Sequence, residues 1–492
     1  MKEILTTQEG TDIVVNLARC HTPSLDKGEL TQETLDNYLY KYQYLINVAR
    51  VICPYKINAE IFDKDRDPKL VISNQKIPPN LQDLNSWNID HLEIFHADQA
   101  SSTPESVKLA HTDGEYIWGN GGGDMGVAIP PALITLALAP SNRTVVFLAH
   151  GTEETGSSSV RTLVENDLHA RIVRCNDGSP VSKDKGLLGL VPASKGAVRL
   201  SLQARDTQFQ LTSQGILVRM STPKEASHHA AHLRLVNTHP IIPFRTADIM
   251  LEMAEMLEDD IHGIALHAGE FVGNTPDQGT MIFDVRNHEA IQYMQQVAER
   301  HNLQFEHIQE GHKVFDTKYM LEVAKMLAKI KTEIGEPITY AHKMPWEITT
   351  FNVVLPKDEN GTIRLDIRAY NLEQTFKEEA RIRELVDKFG FDVRVDVRVE
   401  SFTQSPDDPI YQEFKKTQIE VVEEEGLSIS PDYGGSDPRF FQTTDPDKKT
   451  TLVVTSNQGD AWHDPLNERV SIESLAASME VARRFTPKLA EL

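Results

Sequence analysis

Histidine and carboxylate side chains of the kind that bind metal ions concentrate in five short segments of the 492-residue sequence. Imidazole nitrogens and carboxylate oxygens are common ligands of catalytic zinc, and a metal ion held by them activates water for hydrolysis. The sequence therefore predicts a metal site at which water could be activated. The segments are FHADQ with His96 and Asp98, WGNGGGDMG with Asp124, HGTEETGS with Glu153 and Glu154, CNDGSP with Asp177, and GDAWHDPLNE with His463.

Two of these segments indicate how such a site would work. Glu153 and Glu154 follow the apolar run TVVFLA, and neighbouring carboxylates repel each other unless a cation or a proton compensates. One of them could ligate a metal ion while the other takes a proton from water as general base. In the HxD pattern at His96, Asp98 could orient the imidazole. A second copy of that pattern begins at His111, and the residues alone leave the choice between the copies open.

Glycines surround Asp124 in the segment GNGGGDMG. They allow the backbone to turn sharply while one carboxylate points inward. The run lacks the lysine of a phosphate-binding P-loop and the GxGxxG spacing, so nucleotide binding is not expected. Helix capping by Asp124 remains an alternative to metal ligation.

The composition excludes several classes of protein. The 73 acidic and 50 basic residues give a formal net charge of −23, which repels polyanions, so neither nucleic acids nor anionic membranes are expected partners. The three cysteines, Cys20, Cys53 and Cys175, include no CxxC pair and predict neither a disulfide framework nor a cysteine-based zinc site. The first residues lack the apolar core of a signal peptide, and the longest apolar run, at 127–139, is too short to span a bilayer. We therefore expect a cytoplasmic protein.

The periodicity of apolar residues divides the chain into two kinds of structure. At both ends, helical patterns such as those at 35–51 and 127–138 alternate with strand patterns such as TVVFLA, which predicts an α/β domain. In the middle, two similar series of helix, strand, helix and strand predict an internally duplicated α+β domain, with DVRN around Arg286 matching DIRA around Arg368. We expect a discontinuous ligand-bearing domain at 1–189 and 400–492, interrupted by an inserted domain at 190–399.

Six segments resemble, in order and spacing, those of the M20 family of metallopeptidases, whose members include dipeptidases, aminoacylases, carboxypeptidases and the succinyl-diaminopimelate desuccinylase. The segments are HAD, DGEYIWGNGGGDMG, HGTEETGS, CNDG, YGGSDPRF and HDPLNE. The resemblance implies an aminopeptidase/phosphorylase-like α/β/α catalytic domain with two zinc ions, and an inserted, ferredoxin-like α+β lid domain. GNGGGDMG lacks the arginine and lysine of the family's usual GRGxxDxKG, and HDPLNE has one extra residue, which leaves the substrate preference open.

The resemblance implies a role for each candidate residue of the catalytic domain. His96 and Asp177 would bind one zinc ion, Glu154 and His463 would bind the other, and Asp124 would bridge the two. Asp98 would orient His96, and Glu153 would be the general base. The resemblance also favours His96 over His111, because in the family an aspartyl-glycine turn separates the first histidine from the bridging aspartate. Cobalt or manganese could replace zinc.

The middle of the chain resembles the family's lid. THPIIPFRTADIM places His239 where a lid histidine polarises the substrate carbonyl and stabilises the oxyanion. Arg368 matches an arginine that pairs with the substrate carboxylate, and Arg286 is the rival copy. His228, His229 and His232 compete with His239 for its role, and Gly434, Gly435 and Ser436 would line the carboxylate pocket with backbone donors.

The fifth ligand and the size of the lid indicate which member of the family the chain resembles. Asp177 favours a dipeptidase, because carboxypeptidases and aminoacylases of the family tend to have glutamate there. A large lid with two similar halves resembles the dipeptidase branch related to bacterial PepV and implies a monomer, with a homodimer as the alternative. The expected substrate is a small peptide. An aminoacylase-like deacylase acting on N-acyl amino acids and a catalytically silent metal-binding protein of the same fold are the alternative functions.

Overall fold

The computed structural model describes most of the chain. The described residues form two compact units, of which unit 1 comprises Met1–Lys195 and Glu400–Leu492, and unit 2 comprises Gly196–Val399. None of the helices among these residues is both long and apolar enough to cross a membrane. The described residues are 4–25, 31–81, 84, 87–99, 103–155, 157–205, 210–212, 216–221, 248–253, 260–268, 279–308, 313–333, 336–337, 350–354, 362–369, 372–432, 436–442, 449–460 and 466–492.

Helices and strands alternate along both units. The α-helices bounded within the described residues are α1 Thr7–Ala18, α2 Gln32–Ile52, α3 Ile129–Ala137, α4 Ser158–Glu165, α5 His288–Arg300, α6 Thr317–Glu333, α7 Leu372–Asp387, α8 Pro409–Val422 and α9 Ile472–Lys488. The strands are β1 Asn58–Phe62, β2 Lys69–Ser73, β3 Ile89–His96, β4 His111–Thr112, β5 Tyr116–Trp118, β6 Val145–His150, β7 Ala170–Cys175, β8 Leu188–Val191, β9 Ala193–Ser194, β10 Gly196–Ala204, β11 Gln210–Thr212, β12 Ile216–Ser221, β13 Ile261–Ala268, β14 Gly279–Val285, β15 Gln304–Ile308, β16 Lys313–Asp316, β17 Glu336–Pro337, β18 Thr350–Val354, β19 Ile363–Ala369, β20 Phe391–Val399, β21 Phe402–Thr403, β22 Leu427–Ile429, β23 Thr451–Asn457, β24 Gly459–Asp460 and β25 Arg469–Ser471.

Local sequence accounts for the main elements of unit 1. The pattern at 35–51 forms α2, whose apolar stripe includes Tyr38 and Tyr42, both fully buried. The prolines at 130 and 131 lie in the first turn of α3, where a missing backbone N–H costs nothing. The last five residues of the TVVFLA run and the following His150 form β6, and all six residues of this strand are buried, as expected for a strand covered on both faces. These three sequence predictions are confirmed.

Unit 1 is built on a mixed sheet that brings three ligand-bearing loops to one edge. Its described strands lie in the order β1-β2-β6-β3-β7-β23-β8-β22. Strand β3 is parallel to both β6 and β7, and β7 is parallel to β23. Because parallel strands end at the same edge of a sheet, the loops after β3, β6 and β7 lie side by side. His96 is the last residue of β3, and the loops after β6 and β7 carry Glu153 and Asp177.

Unit 2 contains two sheets that repeat one topology and are antiparallel except for the edge strand β17, which pairs with β18 in parallel. The first has the order β11-β16-β13-β14-β12-β15, and the second has the order β17-β18-β19-β10-β20. Within them, β13-β14-β12-β15 corresponds to β18-β19-β10-β20, and α5 and α7 occupy equivalent places after β14 and β19. The predicted α+β duplication is therefore present. It is nested rather than tandem, because β10 belongs to the second copy and precedes the whole of the first.

Candidate active site

Three predicted ligands lie together at the carboxyl edge of the unit 1 sheet. His96, the last residue of β3, places its Nε2 atom 2.9 Å from Asp124 Oδ1 and 3.6 Å from Asp177 Oδ1. One ligand atom from each of the three residues lies within 4.8 Å of the others. His96 and Asp124 are buried, at 1% and 6% exposure. Glu154 is not a member of this three-residue group.

The glycine run places Asp124 by a close backbone path. Gly119 has a φ of +139° and Gly121 a φ of +74°, which side-chain-bearing residues rarely adopt. A Cβ atom at Gly119 would also lie 2.7 Å from Ala110 Cβ. Met125, joined to Asp124 by a cis peptide bond, is buried. The run therefore serves to bring one carboxylate to His96, as the sequence led us to expect.

Asp98 joins two of the loops. Its Oδ1 lies 3.5 Å from Nδ1 of His96, the ring nitrogen opposite the one that faces Asp124. Its two oxygens also accept hydrogen bonds from the backbone N–H groups of Glu153, at 3.3 Å, and Glu154, at 3.1 Å. Burial opposes ionisation of Asp98, but the hydrogen bond from His96 and the charges of His96 and His150 lower its pKa. One buried carboxylate thus orients the histidine and fixes the backbone of both glutamates.

The site concentrates negative charge where water is excluded. Burial, reinforced by the charge of Glu154, raises the pKa of Glu153 to about 8. Burial, reinforced by the charges of Glu153 and Asp124, raises the pKa of Asp177 well above its ordinary value. Burial alone would lower the pKa of His96, but the Asp124 carboxylate raises it well above its ordinary value. A cation would relieve this repulsion.

A divalent metal ion fits this group of donors. Asp177 Oδ2 is buried and has no hydrogen-bond partner among the described residues, although a buried carboxylate oxygen normally has one. The three ligand atoms are close enough to share one ion, and imidazole with carboxylates is a donor set that zinc accepts.

Several predicted site residues lie outside the described residues. His463, His239, Gly434 and Gly435 lie outside the described residues, as do the competing histidines at 228, 229 and 232. Ser436 is buried and directly precedes a 3-10 turn, Asp437–Phe441.

The two arginines predicted for the substrate carboxylate have partners within unit 2. Arg368 in β19 donates to Asp366 at 3.1 Å and is mostly buried. Its rival, Arg286, contacts His262.

The second HxD copy does not join the ligand group. His111 is exposed in β4 and stacks on Trp118 of β5. Asp113 accepts hydrogen bonds from the indole N–H of Trp118, at 2.8 Å, and from the backbone N–H of Tyr116, at 2.7 Å. These contacts lower the pKa of Asp113 to about 2 and stabilise the turn between β4 and β5. This copy therefore stabilises a hairpin.

The sequence did not single out a buried cluster beside Glu153. His150 Nε2, at the end of β6, lies 2.6 Å from Asp437 Oδ2, and both side chains are fully buried. Arg439 donates to Ser157 Oγ at 2.9 Å, and its Nη1 lies 3.9 Å from Glu153 Oε1. The guanidinium also stacks over the ring of Phe440. Asp437 and Arg439 belong to YGGSDPRF, one of the six segments that carry the family resemblance. Their place in this segment was the one signal in the sequence that could have marked them as candidate site residues.

The fold is α/β, and His96, Asp124 and Asp177 form a group that could hold a metal ion. A family model described as Peptidase family M20/M25/M40 matches residues 91–488. The chain therefore belongs to this family of metal-dependent peptide hydrolases. A search of curated proteins gives no match to the sequence.

Solved structures share the fold at low sequence identity. An aminoacylhistidine dipeptidase from Vibrio alginolyticus is 13% identical with a TM-score of 0.55, and the alignment covers 98% of this chain and 97% of that one. A dipeptidase from Saccharomyces cerevisiae is 10% identical with a TM-score of 0.54, over 99% and 96% of the two chains. An M20 family metallo-carboxypeptidase from Sulfolobus solfataricus is 16% identical with a TM-score of 0.52, over 98% and 100%.

Proposed function

We propose that this chain is a zinc-dependent dipeptidase. The observation that carries the proposal is the group of His96, Asp124 and Asp177, joined through Asp98 to the backbone of Glu153. We assign the first metal to His96, Asp124 and Asp177. We assign the second to Asp124, Glu154 and His463, as the family resemblance implies. Zinc suits these donors best, and Co²⁺ or Mn²⁺ would be accepted at the same positions.

Glu153 is the proposed general base. A metal ion bound beside it supplies a Lewis acid that polarises the scissile carbonyl. The Glu153 carboxylate takes a proton from the attacking water and later transfers a proton to the leaving amine. Arg439 Nη1 lies 3.9 Å from Glu153 Oε1 and keeps the carboxylate in place between these steps.

A dipeptide is the proposed substrate because Asp177 stands where deacylating members of the family tend to have glutamate. The solved structures from Vibrio alginolyticus and Saccharomyces cerevisiae, which share the fold, are described as dipeptidases and lend support. His239 would stabilise the oxyanion, and Arg368 would pair with the substrate carboxylate. Gly434, Gly435 and Ser436 would donate backbone N–H groups to that carboxylate.

The remaining assignments rest on the sequence and on the family. Unit 1 would be the catalytic domain, and unit 2 would be the lid of the PepV-like branch. The nested duplication in unit 2 would replace the second lid of a dimer, so that the enzyme acts as a monomer. The net charge of −23 disfavours nucleic acids and anionic membranes as partners. The apolar runs are too short to span a bilayer, and we propose a cytoplasmic protein.

A substrate panel tests the proposed function. The zinc-loaded protein is assayed with free-amine dipeptides and with N-acyl amino acids of matching side chains, beside Glu153→Gln. The exposed Glu165 on α4 provides the control variant, Glu165→Gln. We expect hydrolysis of dipeptides, loss of at least about 100-fold in kcat for Glu153→Gln, and no change in the control. Preferential cleavage of N-acyl amino acids would establish the deacylase instead. Failure to bind zinc, or full activity in Glu153→Gln, would refute the mechanism.

A further inference from the structure

Glu468 is a buried carboxylate that no proposed ligand role includes. It is 1% exposed and follows His463 by five residues. Its Oε1 accepts hydrogen bonds from the backbone N–H groups of Gly123, at 2.9 Å, and Asp124, at 3.2 Å. Its Oε2 accepts a hydrogen bond from Asn120 Nδ2 at 3.1 Å. One side chain therefore holds three donors of the loop that presents Asp124 to His96.

Backbone contacts fix the same loop at its start. The N–H of Gly119 donates to the Glu468 carbonyl at 3.0 Å. The next residue, Arg469, begins β25 and pairs with Trp118, the last residue of β5. The glycine run is thus tied at its start by main-chain bonds and at its end by the Glu468 side chain.

The loss of these hydrogen bonds would be costly. They are made where water is excluded, so a lost partner would leave buried N–H groups without an acceptor. Glycine resists bending least of all residues, so a run of three glycines needs such external contacts to keep one geometry. The direction of the Asp124 side chain follows from the peptide group that Glu468 holds.

We propose that Glu468 is a positioning residue that sets the affinity of the site for its metal ions by fixing Asp124. The inference rests on the proposed function, because it assumes that Asp124 ligates metal. The second half of the GDAWHDPLNE segment then has a role of its own: His463 would ligate one ion, and Glu468 would orient the carboxylate that bridges both.

Three variants separate geometry from charge. Glu468→Ala removes both acceptor oxygens. Glu468→Gln keeps an acceptor for the Gly123 and Asp124 N–H groups. When the Asn120 side-chain amide rotates by about 180°, its Oδ1 can accept a hydrogen bond from the glutamine side-chain N–H. Asn120 Oδ1 is free to do so, because it is buried and has no hydrogen-bond partner among the described residues. Asn120→Asp instead sets a second carboxylate against Glu468. Glu473→Ala, at an exposed glutamate in the first turn of α9, is the matched control.

The measurements are the Zn²⁺ dissociation constant, by competition with a chromophoric chelator, and the melting temperature of each metal-free protein. We expect Zn²⁺ affinity to fall by about 10- to 100-fold in Glu468→Ala and to fall also in Asn120→Asp. Glu468→Gln should lose less than about 10-fold, and Glu473→Ala should match wild type. Conservative rescue by glutamine would show that the hydrogen bonds, rather than the charge, carry the effect.

The opposing outcomes are distinct. If Glu468→Ala melts at a lower temperature but binds Zn²⁺ as tightly as wild type, Glu468 is only structural and the inference is overturned. If Glu468→Gln is as impaired as Glu468→Ala, positioning by these hydrogen bonds is also overturned. If wild type itself does not bind Zn²⁺, the proposed function fails together with the inference.

Discussion

Lys41 offers a quantitative test of how far water is excluded from the protein interior behind the proposed metal site. It lies on α2 and is 2% exposed. Its ammonium donates to the Ala97 carbonyl at 2.7 Å and to Thr22 Oγ1 at 3.2 Å, directly behind the His96 segment. We predict that replacing it with methionine, which has a similar length and no charge, removes a pH-dependent part of the stability.

The magnitude follows from the pKa of the buried amine. Burial lowers the pKa of Lys41 from 10.5 to about 8. Between these values the unfolded chain binds a proton that the folded chain does not, so the stability of the wild type rises with pH. The difference corresponds to about 3 kcal/mol, most of which is regained between pH 7 and pH 10. At neutral pH the lysine therefore weakens the fold.

Urea unfolding at pH 7 and pH 10 measures the effect. The free energy of unfolding of wild type relative to Lys41→Met should rise by about 2 to 3 kcal/mol between the two pH values. The Ala97 carbonyl keeps a hydrogen bond from Thr22 Oγ1 at 2.6 Å in the variant, so the loop itself should persist. Lys416→Met, at a lysine whose side chain is 65% exposed, controls for the loss of one positive charge.

A constant difference between wild type and Lys41→Met across this pH range would refute the reasoning. It would mean that water or a counter-charge compensates the ammonium in the folded protein. A difference that falls with rising pH would contradict the sign, because it would require the folded chain to bind the proton more tightly than the unfolded chain.

Three further predictions concern the site itself. Asp98→Ala should lower kcat/KM by about 10- to 100-fold in the zinc-loaded enzyme, because it frees the His96 ring and the backbone of both glutamates; unchanged kinetics would exclude an orienting role. Arg439→Gln should lower kcat by up to about 100-fold with little change in KM, since the guanidinium contacts the base; a rise in KM alone would place Arg439 against substrate. Chelation should lower the melting temperature and excess Zn²⁺ should restore it, because a thousandfold excess over the dissociation constant adds about 4 kcal/mol to the free energy of unfolding; identical melting curves would show that the ion does not bind the folded state.

The proximity of the three candidate ligands was predictable because they lie in segments that carry their own signal. His96, Asp124 and Asp177 stand after strands or in a glycine run, and parallel strands bring such loops to one edge. The helices and strands of unit 1 were predictable from the period of their apolar residues.

The residues that support the ligands were not predictable, because their partners are distant in sequence. Glu468 contacts a loop some 345 residues earlier, and Arg439 contacts a serine 282 residues earlier. The sequence of the helix that contains Lys41 does not show that its ammonium would donate a hydrogen bond to the Ala97 carbonyl. The nesting in unit 2 was missed for the same reason: β10 is an unremarkable strand by sequence, and only its pairing with β19 and β20 assigns it to the second copy.

The pairing of β10 with β20 brings the two ends of unit 2 side by side. The two segments that cross between the units are neighbours in both: Ala197 pairs with Val399 in unit 2, and Ser194 pairs with Phe402 in unit 1. An insertion with adjacent ends can be cut out and closed by a tight turn of about two to five residues, as in an ordinary hairpin. A miniature chain made in this way would keep the sheet of unit 1, its core and its ligand group. Binding of metal and recognition of substrate could then be studied, and altered, as separate modules.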